Sequence, residues 1–538
     1  MTNLFCQLFV SYSTNAQIRQ KFHFWYIAGF CNVKGESMDR SECSILQVTC
    51  LFFILALLLA GCAMVPMPTR SPYTGESGQL GKCADFFASL DKQIAEADAI
   101  DPGVFRVKNF PYLRVDRFLA SFSEEVDDVD AFAAWIDRMQ TLDQDARRYE
   151  IANLPTSAVV ELDSANDKVA VYDKVVTCGD ILKTADFQRD KHQTDIRKNA
   201  AVPDEYIPLR RILGIYPLTS MFIYRGVSIW HREARKSYSA EPPVNWQSIR
   251  YAPIPKIDLA SVRHTIEPTK RDVLGIPVYS AESRKALFQL YAPLWEIQFE
   301  SDNDRIGSPM WTARGDLGVD TKQSLTYTLL SFTRFGKEIL TQLNYIIWFP
   351  ARPKDGSLDL YGGFLDGVNY RVTLDVNYEP LLYETVHNCG CYYKAYPTNR
   401  LKVRQQIDYA EPPLILKAPE VDHSKDFMTV SMESRTHYVQ HLYPLARELM
   451  PYSTTYTLID YGQLRSLAFS KDDHKSMFSQ NSITTGSERS ERYILWLTGV
   501  LSPGAMRQWG RHAVAFIGRR HFDDPYFMNK MFIKTDYQ

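Results

Sequence analysis

The closest grouping of side chains that could do chemistry is the segment His387-Asn388-Cys389-Gly390-Cys391. If the strand predicted before it continues, its imidazole and both sulfurs share one face, because successive side chains alternate across a strand. One histidine and two cysteines are ligands that zinc accepts. In an unbroken strand the outer two ligands lie about 13 Å apart, which is too far for one ion. A zinc site at His387, Cys389 and Cys391 therefore requires a turn at the glycine.

A disulfide between Cys389 and Cys391 is the alternative, since paired thiols in an oxidising compartment usually form a bridge. Two residues apart in a strand, the Cα atoms are about 6.6 Å apart, near the upper limit for a disulfide, so this bridge also needs the bend that Gly390 permits. We therefore predict that this segment marks the functional region. It forms a metal site or, if the disulfide forms, the rigid rim of a binding cleft with His387 beside it. No cofactor is otherwise predicted.

A second candidate is the pair His437 and His441. On a helix this spacing places both rings on one side, as in zinc-binding helices. However, no glutamate follows His437, and Pro444 would remove a helical hydrogen bond to Gln440. A strand over 436–443 is at least as compatible and would separate the rings, so metal binding by this pair alone is disfavoured.

A third candidate is a run of basic and acidic residues near the C-terminus, around an apolar strand predicted over 513–517. Guanidinium groups suit phosphate or carboxylate ligands, and a histidine beside an aspartate suits acid or base catalysis. A surface ion-pair network is the alternative. The residues are Arg507, Arg511, His512, Asp524 and, as the favoured candidates, Arg519, Arg520, His521 and Asp523.

A fourth segment, 486–492, contains Gly-Ser followed by alternating charges. It matches neither the Gly-x-Ser-x-Gly nucleophile elbow nor the phosphate-binding loop. We interpret it as a charged loop.

The apolar run Val48–Ala60 is too short to span a bilayer as a helix, but it has the length of a signal-peptide core. It ends in Leu59-Ala60-Gly61-Cys62, which resembles the lipobox of bacterial lipoproteins. The resemblance implies that Cys62 becomes the first mature residue, carries lipid and anchors the chain to a membrane. By the same family's rule, Ala63 rather than aspartate after the cysteine implies the outer membrane of a Gram-negative bacterium, facing the periplasm.

Four regions are predicted along the chain. The residues before the apolar run are more numerous than a signal peptide needs, so Met38 is an alternative start. A Pro-Pro pair and two further prolines over 242–255 indicate a boundary between domains. The regions are a signal region 1–61, a flexible Pro- and Gly-rich tether 62–82, a mainly helical domain 83–245 and a β-rich domain 246–538.

The fold class follows from hydrophobic periodicity. Apolar residues recur every three or four positions over 86–94, 118–126 and 132–139, which predicts helices. Alternation over 339–349 and 370–376 predicts antiparallel hairpins, and a short helix is predicted from Pro444. The sequence therefore predicts an α+β protein, with a helical region followed by a larger antiparallel β-rich region and covering helices.

Lysine plus arginine (61) nearly balance aspartate plus glutamate (63), so the overall charge does not favour nucleic-acid binding. After Cys62, four cysteines remain. Three pairings are possible, and Cys83 with Cys178 plus Cys389 with Cys391 is the most natural, because one pair brackets a region and the other is local.

No catalytic motif identifies a reaction, and whether the protein is an enzyme stays open. We carry two hypotheses: a lipid-anchored, periplasm-facing protein that binds an envelope protein or polymer or has a structural role, and a metal-dependent or acid–base hydrolase. Convergence of His387, His437, His441, His512 or His521 with an acidic residue in one pocket would favour the hydrolase, and scatter of those histidines over the surface would favour the binding protein. The body also resembles uncharacterised bacterial envelope proteins around Trp348–Pro353 and the Cys-Gly-Cys segment, a resemblance that implies no activity.

We expect lipid on Cys62, because the lipobox and the short apolar run together specify cleavage and acylation. Replacing Cys62 by Ala should leave an unprocessed, unlipidated precursor. Mass spectrometry of the N-terminal peptide checks this, and an intact N-terminus on the wild-type chain would contradict it.

Overall fold

The structure is a computed structural model that describes residues 70–188, 190–240, 247–254, 266, 270–449 and 454–535. The predicted signal region and the lipobox at Leu59–Cys62 lie outside these residues. From Pro68 onward the chain forms one compact unit. None of the helices described is long and apolar enough to cross a membrane.

The first part of the unit is a helical layer with one small hairpin, β1 (Phe105–Val107) and β2 (Phe110–Val115). Most of the expected apolar stripes become the core of this layer; Phe132, Trp135, Ile136 and Met139, for example, are buried on one helix that starts at the N-cap Asp128. The stripe over 118–126 is buried but helical only in its first residues. The helices are α1 (Gln79–Glu96), α2 (Arg117–Ala120), α3 (Val129–Ala152), α4 (Thr156–Leu162), α5 (Lys168–Phe187), α6 (Asp190–Asn199), α7 (Pro208–Leu213) and α8 (Tyr216–Ser239).

The tether ends earlier than predicted. Helix α1 begins at Gln79, and Tyr73 ahead of it is buried against the helical core. The burial of this aromatic ring stabilises a turn that composition alone assigned to flexible chain. Only the residues before Arg70 remain as predicted tether, and they lie outside the described ranges.

A balanced network of buried charges lies inside the helical layer. Arg114 contacts Asp143 at 2.9 Å and Glu150 at 2.7 Å, while Arg147 contacts Asp91 at 2.6 Å. Since an unpaired buried charge costs several kcal/mol, each of these side chains depends on its partners.

The second part is built on an eleven-stranded mixed sheet, and the α+β class is confirmed. Its order is β13-β11-β10-β9-β8-β7-β16-β3-β4-β14-β15. The sheet curls, and the Lys394 ammonium on β11 donates to the Val439 carbonyl on β15. The strands are β3 (Ser248–Pro253), β4 (Leu294–Gln298), β7 (Leu325–Phe335), β8 (Glu338–Arg352), β9 (Gly363–Leu374), β10 (Pro380–His387), β11 (Lys394–Pro397), β13 (Leu414–Ile415), β14 (Asp426–Met432), β15 (Val439–Ala446) and β16 (Thr454–Asp460).

The predicted alternation on β8 and β9 is confirmed. Leu343, Tyr345, Tyr370 and Val372 face the inside of the curl and join its apolar core. Arg371 and Glu384 face the other side as a buried ion pair. Smaller elements complete the fold: α9 (Ala281–Leu290), α10 (Arg492–Leu495), α11 (Phe527–Met531), β5 (Ser308–Trp311), β6 (Leu317–Asp320), β12 (Leu401–Val403), β17 (Leu467–Ala468), β18 (His474–Lys475) and β19 (Phe532–Lys534).

Two local predictions are wrong. The helix expected from Pro444 is the end of strand β15, where Pro444 pairs with Met428. Strand β15 ends the sheet, so a residue without an N–H group is tolerated there. The apolar stretch 513–517 is irregular rather than a strand, apart from one bridge between Ala513 and His521.

The structure contains the predicted disulfide between Cys83 on α1 and Cys178 on α5, with Cα atoms 5.0 Å apart. We expect C83A/C178A to lower the free energy of unfolding by about 4 kcal/mol, because the bridge closes a loop of 95 residues in the unfolded chain. Denaturant titration measures this. Non-reducing peptide mapping is the control, and free thiols at both positions would contradict the assignment.

Candidate functional site

Three neighbouring strands bring one carboxylate and one of the predicted histidines together at one end of the curled sheet. Asp366 lies on β9, directly opposite Phe349 on β8. His387 is the last residue of β10 and is paired with Val368, two positions from Asp366. Both polar side chains point into the curl because they share the face of Tyr370 and Tyr383.

A second histidine comes from the turn between β14 and β15. His437 has φ 52° and Arg435 has φ 62°, so two residues with side chains occupy the left-handed region in this turn. The turn is held by Asp304, whose carboxylate accepts hydrogen bonds from the backbone N–H groups of Glu300, Ser301 and Arg435. This backbone geometry directs His437 toward β9.

We call Asp304, Asp366, His387 and His437 the Asp366 centre. Asp366 Oδ2 lies 2.8 Å from His437 Nδ1, and Asp366 Oδ1 lies 3.6 Å from His387 Nδ1. His437 Nε2 lies 3.5 Å from Asp304 Oδ1, and its ring stacks on Phe349 with centroids 3.8 Å apart. All four members are buried.

The surroundings shift the pKa values of the two imidazoles in opposite directions. Burial disfavours a charged ring at His437, but the carboxylates of Asp304 and Asp366 outweigh it and raise its pKa. Burial lowers the pKa of His387, and Asp366 offsets this only in part. Burial also opposes ionisation of Asp366, yet its hydrogen bonds and charge interactions with both histidines hold its pKa well below the usual range. At neutral pH, Asp366 is ionised and His387 is neutral.

His387 Nε2 is buried and has no hydrogen-bond partner among the described residues. Buried polar atoms are usually paired, and an unpaired one calls for an explanation. With Nδ1 facing the Asp366 carboxylate, the free nitrogen is the basic one. An imidazole oriented by a carboxylate in this way is the arrangement of a general base.

A second group of side chains surrounds His387, and we call it the rim. Arg352 donates from Nη1 to the Tyr438 hydroxyl at 3.1 Å and has no carboxylate ion-pair partner in the part of the chain described. Tyr392 packs on His387 with ring centroids 5.1 Å apart and on Tyr438 at 4.3 Å. Tyr392 is only half-buried, so the rim reaches the surface.

Glu491 belongs to the rim although it lies in the segment that we interpreted as a charged loop. It is 7% exposed, and burial raises its pKa to about 7 against the opposing charges of Arg352 and Arg489. Gly504 makes room for it: a Cβ there would lie 1.9 Å from Glu491 Oε1. Arg489 is also buried and donates to the carbonyls of Phe364 and Leu365.

Cys389 and Cys391 are free thiols in the structure, so the predicted disulfide is not formed here. The strand ends at His387, whose N–H donates to the Cys391 carbonyl, and the turn between them packs Gly390 against the Ala513 carbonyl. This turn places the Cys391 N–H 3.3 Å from Cys389 Sγ. The hydrogen bond of the Cys391 thiol to Cys389, together with burial, raises the pKa of Cys391 well above its usual range.

The predicted zinc trio is not assembled. His387 turns toward Asp366 rather than toward the thiols, and within the described residues no group of three or more His, Cys, Asp or Glu side chains is placed to hold a metal ion. His441 lies apart, stacked on Tyr238 at 6.3 Å, which agrees with the strand geometry that separates it from His437.

Three of the C-terminal candidates, Arg511, Arg519 and His521, lie in ion-pair contact with Asp204 or Glu205, which stand between helices α6 and α7. His521 Nε2 lies 3.2 Å from Asp204 rather than acting with Asp523, and Arg519 contacts the same carboxylate at 2.7 Å. Arg520 is buried and donates to the carbonyls of Glu411 and Val514. Of the remaining run, Arg507 donates to Leu501 and Ser502, Arg511 to Glu205, His512 lies 3.1 Å from Asn388 O, and Asp524 accepts from Tyr409 and Lys530.

Asp523 has a different position, on a cleft of about 640 Å³ between the helical layer and the sheet. Arg117 Nη1 donates to both of its oxygens, at 3.0 and 3.1 Å. Asp116 lies on the same cleft, and burial raises its pKa to about 6. The Asp366 centre is not among the residues that line this cleft.

No protein family, curated protein or solved structure matches the chain. The site therefore has to be judged by its own geometry.

Sequence reasoning missed Asp304, Asp366 and Glu491, and it did not assign Arg352 a role. One signal was present: Gly362-Gly363-Phe364-Leu365-Asp366-Gly367 places an acidic residue inside an apolar strand, where burial requires a charged partner.

His437 gives the centre a measurable pH dependence. Because its pKa is raised in the folded state, the stabilisation by the protonated ring is complete below about pH 6.5, the usual value, and is lost as pH rises through the raised pKa. We expect H437Q to lower the free energy of unfolding by about 3 kcal/mol at pH 5.5 and by less at pH 8.5. Denaturant titration at both pH values measures this, with H474Q at an exposed histidine as the control. An equal loss at both pH values would contradict a charged His437.

Proposed function

We propose that the chain is a lipid-anchored cell-envelope protein whose body is an acid–base hydrolase acting at the Asp366 centre and its rim. The main support for hydrolase activity is the buried Nε2 of His387, which has no partner among the described residues, with Asp366 on the opposite side of the ring. Two histidines from separate hairpins converge on one carboxylate, which is the arrangement that distinguishes the hydrolase from a binding protein.

In this proposal a water molecule enters from the rim and gives a proton to His387 Nε2 as its oxygen attacks the substrate. Glu491, whose pKa of about 7 leaves a large protonated fraction at neutral pH, gives a proton to the leaving group. The two protons re-equilibrate through solvent, which restores neutral His387 and protonated Glu491.

Arg352 supports a substrate class. Its guanidinium is buried, and within the described residues no carboxylate pairs with it. An arginine in this state favours a carboxylate or phosphate, or the oxyanion that forms during attack. Tyr361 and Tyr438 lie beneath it, 5.5 and 5.2 Å from the guanidinium carbon. We therefore propose an anionic substrate.

Backbone strain supports the same location. Leu365, Tyr392, Arg435 and His437 all have φ between 52° and 62°. His437 is in the centre and Tyr392 is in the rim, while Leu365 precedes Asp366 and Arg435 donates its N–H to Asp304. Left-handed backbone at residues with side chains costs of order 1 kcal/mol or more each and concentrates at functional sites.

The anchoring half of the proposal is supported by the Leu59–Cys62 lipobox and Ala63. In this proposal, the hydrolase lies on the periplasmic side of the outer membrane, within reach of envelope components.

Binding without catalysis is the second candidate, and the cleft beside Asp523 favours it. Gln508 and Trp509 line this cleft, and Gln508 Oε1 is buried without a hydrogen-bond partner. An amide, carboxylates and an aromatic ring suit a neutral polyhydroxylated ligand such as a segment of an envelope polymer.

We expect H387A to lower kcat by 10²–10⁴-fold, the usual contribution of a general base. Wild-type activity should fall as pH rises through about 7, since Glu491 then loses its proton, and E491Q should have low activity without this limb. Both effects are measured as turnover of alkyl esters and amides, with products detected by mass spectrometry. Substrates that carry a free carboxylate away from the reacting bond are compared with substrates that lack one. H387Q removes the base but keeps a side chain of similar volume, so it tests whether loss of the base alone has the same effect. H474A, at an exposed histidine, is the control. Wild-type rates in H387A and H387Q would contradict the proposal.

A further inference from the structure

The segment 208–239 exposes an unusual amount of apolar surface. Helix α8 is 24 residues long, yet Ala234 is its one buried residue. Large apolar side chains between 44% and 79% exposed lie on α7, on the first half of α8, between these two helices, and on α10, which is connected to both of them through the turn 496–498: Leu209, Ile212, Leu213, Ile215, Leu218, Met221, Phe222, Tyr224, Tyr493 and Ile494. We call these ten residues the apolar patch. Contiguous patches of this kind mark interaction surfaces.

The patch has helical order. Leu209, Ile212 and Leu213 are spaced by three and four residues on α7, and Leu218, Met221 and Phe222 repeat the spacing on α8. Each set therefore lies on one face of its helix. The second half of α8 is fastened to the sheet, where Arg235 donates to the Ile415 carbonyl.

The charge of the same segment is strongly one-sided. Residues 208–239 contain six basic residues and one acidic residue, Glu233, whereas the whole chain is nearly neutral. Within the described residues none of the six forms an ion pair with a carboxylate: Arg210 and Arg211 donate to the carbonyls of Val500, Thr498 and Gly518, and Arg225 and Arg232 are exposed. Exposed apolar residues beside unpaired cations are the pattern of a helix that lies at a membrane surface.

We propose that the apolar patch docks onto a lipid bilayer with anionic headgroups, with the apolar side chains in the interface and the unpaired arginines on the headgroups. Chain length agrees with this occupant, because only seven residues separate Cys62 from Arg70, and the eight intervals between these two residues span at most about 29 Å when extended. The docking proposal does not depend on the hydrolase.

The test uses the chain from Ala63 without its lipid, so that binding reports the patch rather than the anchor; the compact unit begins only at Pro68. The probe is vesicles of phosphatidylethanolamine and phosphatidylglycerol at 3:1, compared with pure phosphatidylcholine, in a sedimentation assay. We expect tighter binding to the anionic vesicles, and weaker binding at 0.5 M NaCl because salt screens the arginines.

M221E/F222E should weaken binding by at least about tenfold, since it places two charges in the apolar interface. V129E and L358E are the matched controls, because both residues are more than 75% exposed but lie outside the patch. All four side chains are exposed, so the variants should keep the wild-type circular dichroism. R225E/R232E should remove the preference for anionic lipid.

Three results would overturn the proposal. The first is no vesicle binding by the wild-type chain, or binding that M221E/F222E leaves unchanged. The second is a concentration-dependent dimer that M221E/F222E dissociates, which assigns the patch to a second copy. The third is protection of the patch from surface labelling in the chain that retains residues before 68, in the absence of vesicles, which assigns it to that segment.

Discussion

The interaction on which the sheet depends is the burial of the Asp366 carboxylate inside the curl. A buried charge costs several kcal/mol unless it is paired, and the neighbours of Asp366 along β9 are apolar. Its strongest partner, His437, comes from the hairpin at the far edge of the sheet. The pairing of Asp366 with His437 requires a curled sheet, in which β15 lies over the face of β8, β9 and β10. The hydrogen bond from the Lys394 ammonium to the Val439 carbonyl is a second contact across this curl.

Arg371 and Glu384 on the outer face of the sheet and His387 on the inner face differ in their hydrogen-bond partners. On the outer face, Arg371 and Glu384 form a paired unit, with Tyr393 and the Phe522 carbonyl as additional partners. On the inner face, His387 Nε2 has no partner among the described residues, and His437, which reaches this face from the turn between β14 and β15, has a left-handed backbone. The outer face resembles a structural network. The inner face keeps reactive groups free at a cost in stability, which is the usual compromise at a functional site.

Helix α8 connects the proposed docking surface with the rim. Its first half carries the exposed apolar residues, and Trp230 in its second half packs on Tyr392 with ring centroids 5.6 Å apart. Tyr392 in turn contacts His387. In the proposal, helix α8 thus links the surface that meets the bilayer with the residues that meet the substrate.

Strong local periodicity is enough to predict several of the elements from sequence. The stripe from Phe132 to Met139 made a helix, and the alternation on β8 and β9 made a hairpin, because each pattern is encoded within about ten residues. The Cys83–Cys178 bridge was also predictable, since few cysteines leave few pairings. The helix prediction at Pro444 is wrong because a proline, which has no N–H group, is tolerated in a strand at the edge of a sheet. The local sequence does not show that β15 lies at such an edge.

The candidate site depends on contacts between distant parts of the chain. His387 was identified from its neighbours in the sequence, but its partner Asp366 is 21 positions away and His437 is 50 positions away. Its sequence context indicates that Glu491 is part of a charged loop, whereas its burial, which no local pattern reports, raises its pKa to about 7. Sequence spacing carries the information for helices and hairpins, whereas the charge state of a buried group depends on contacts that form only when distant strands meet.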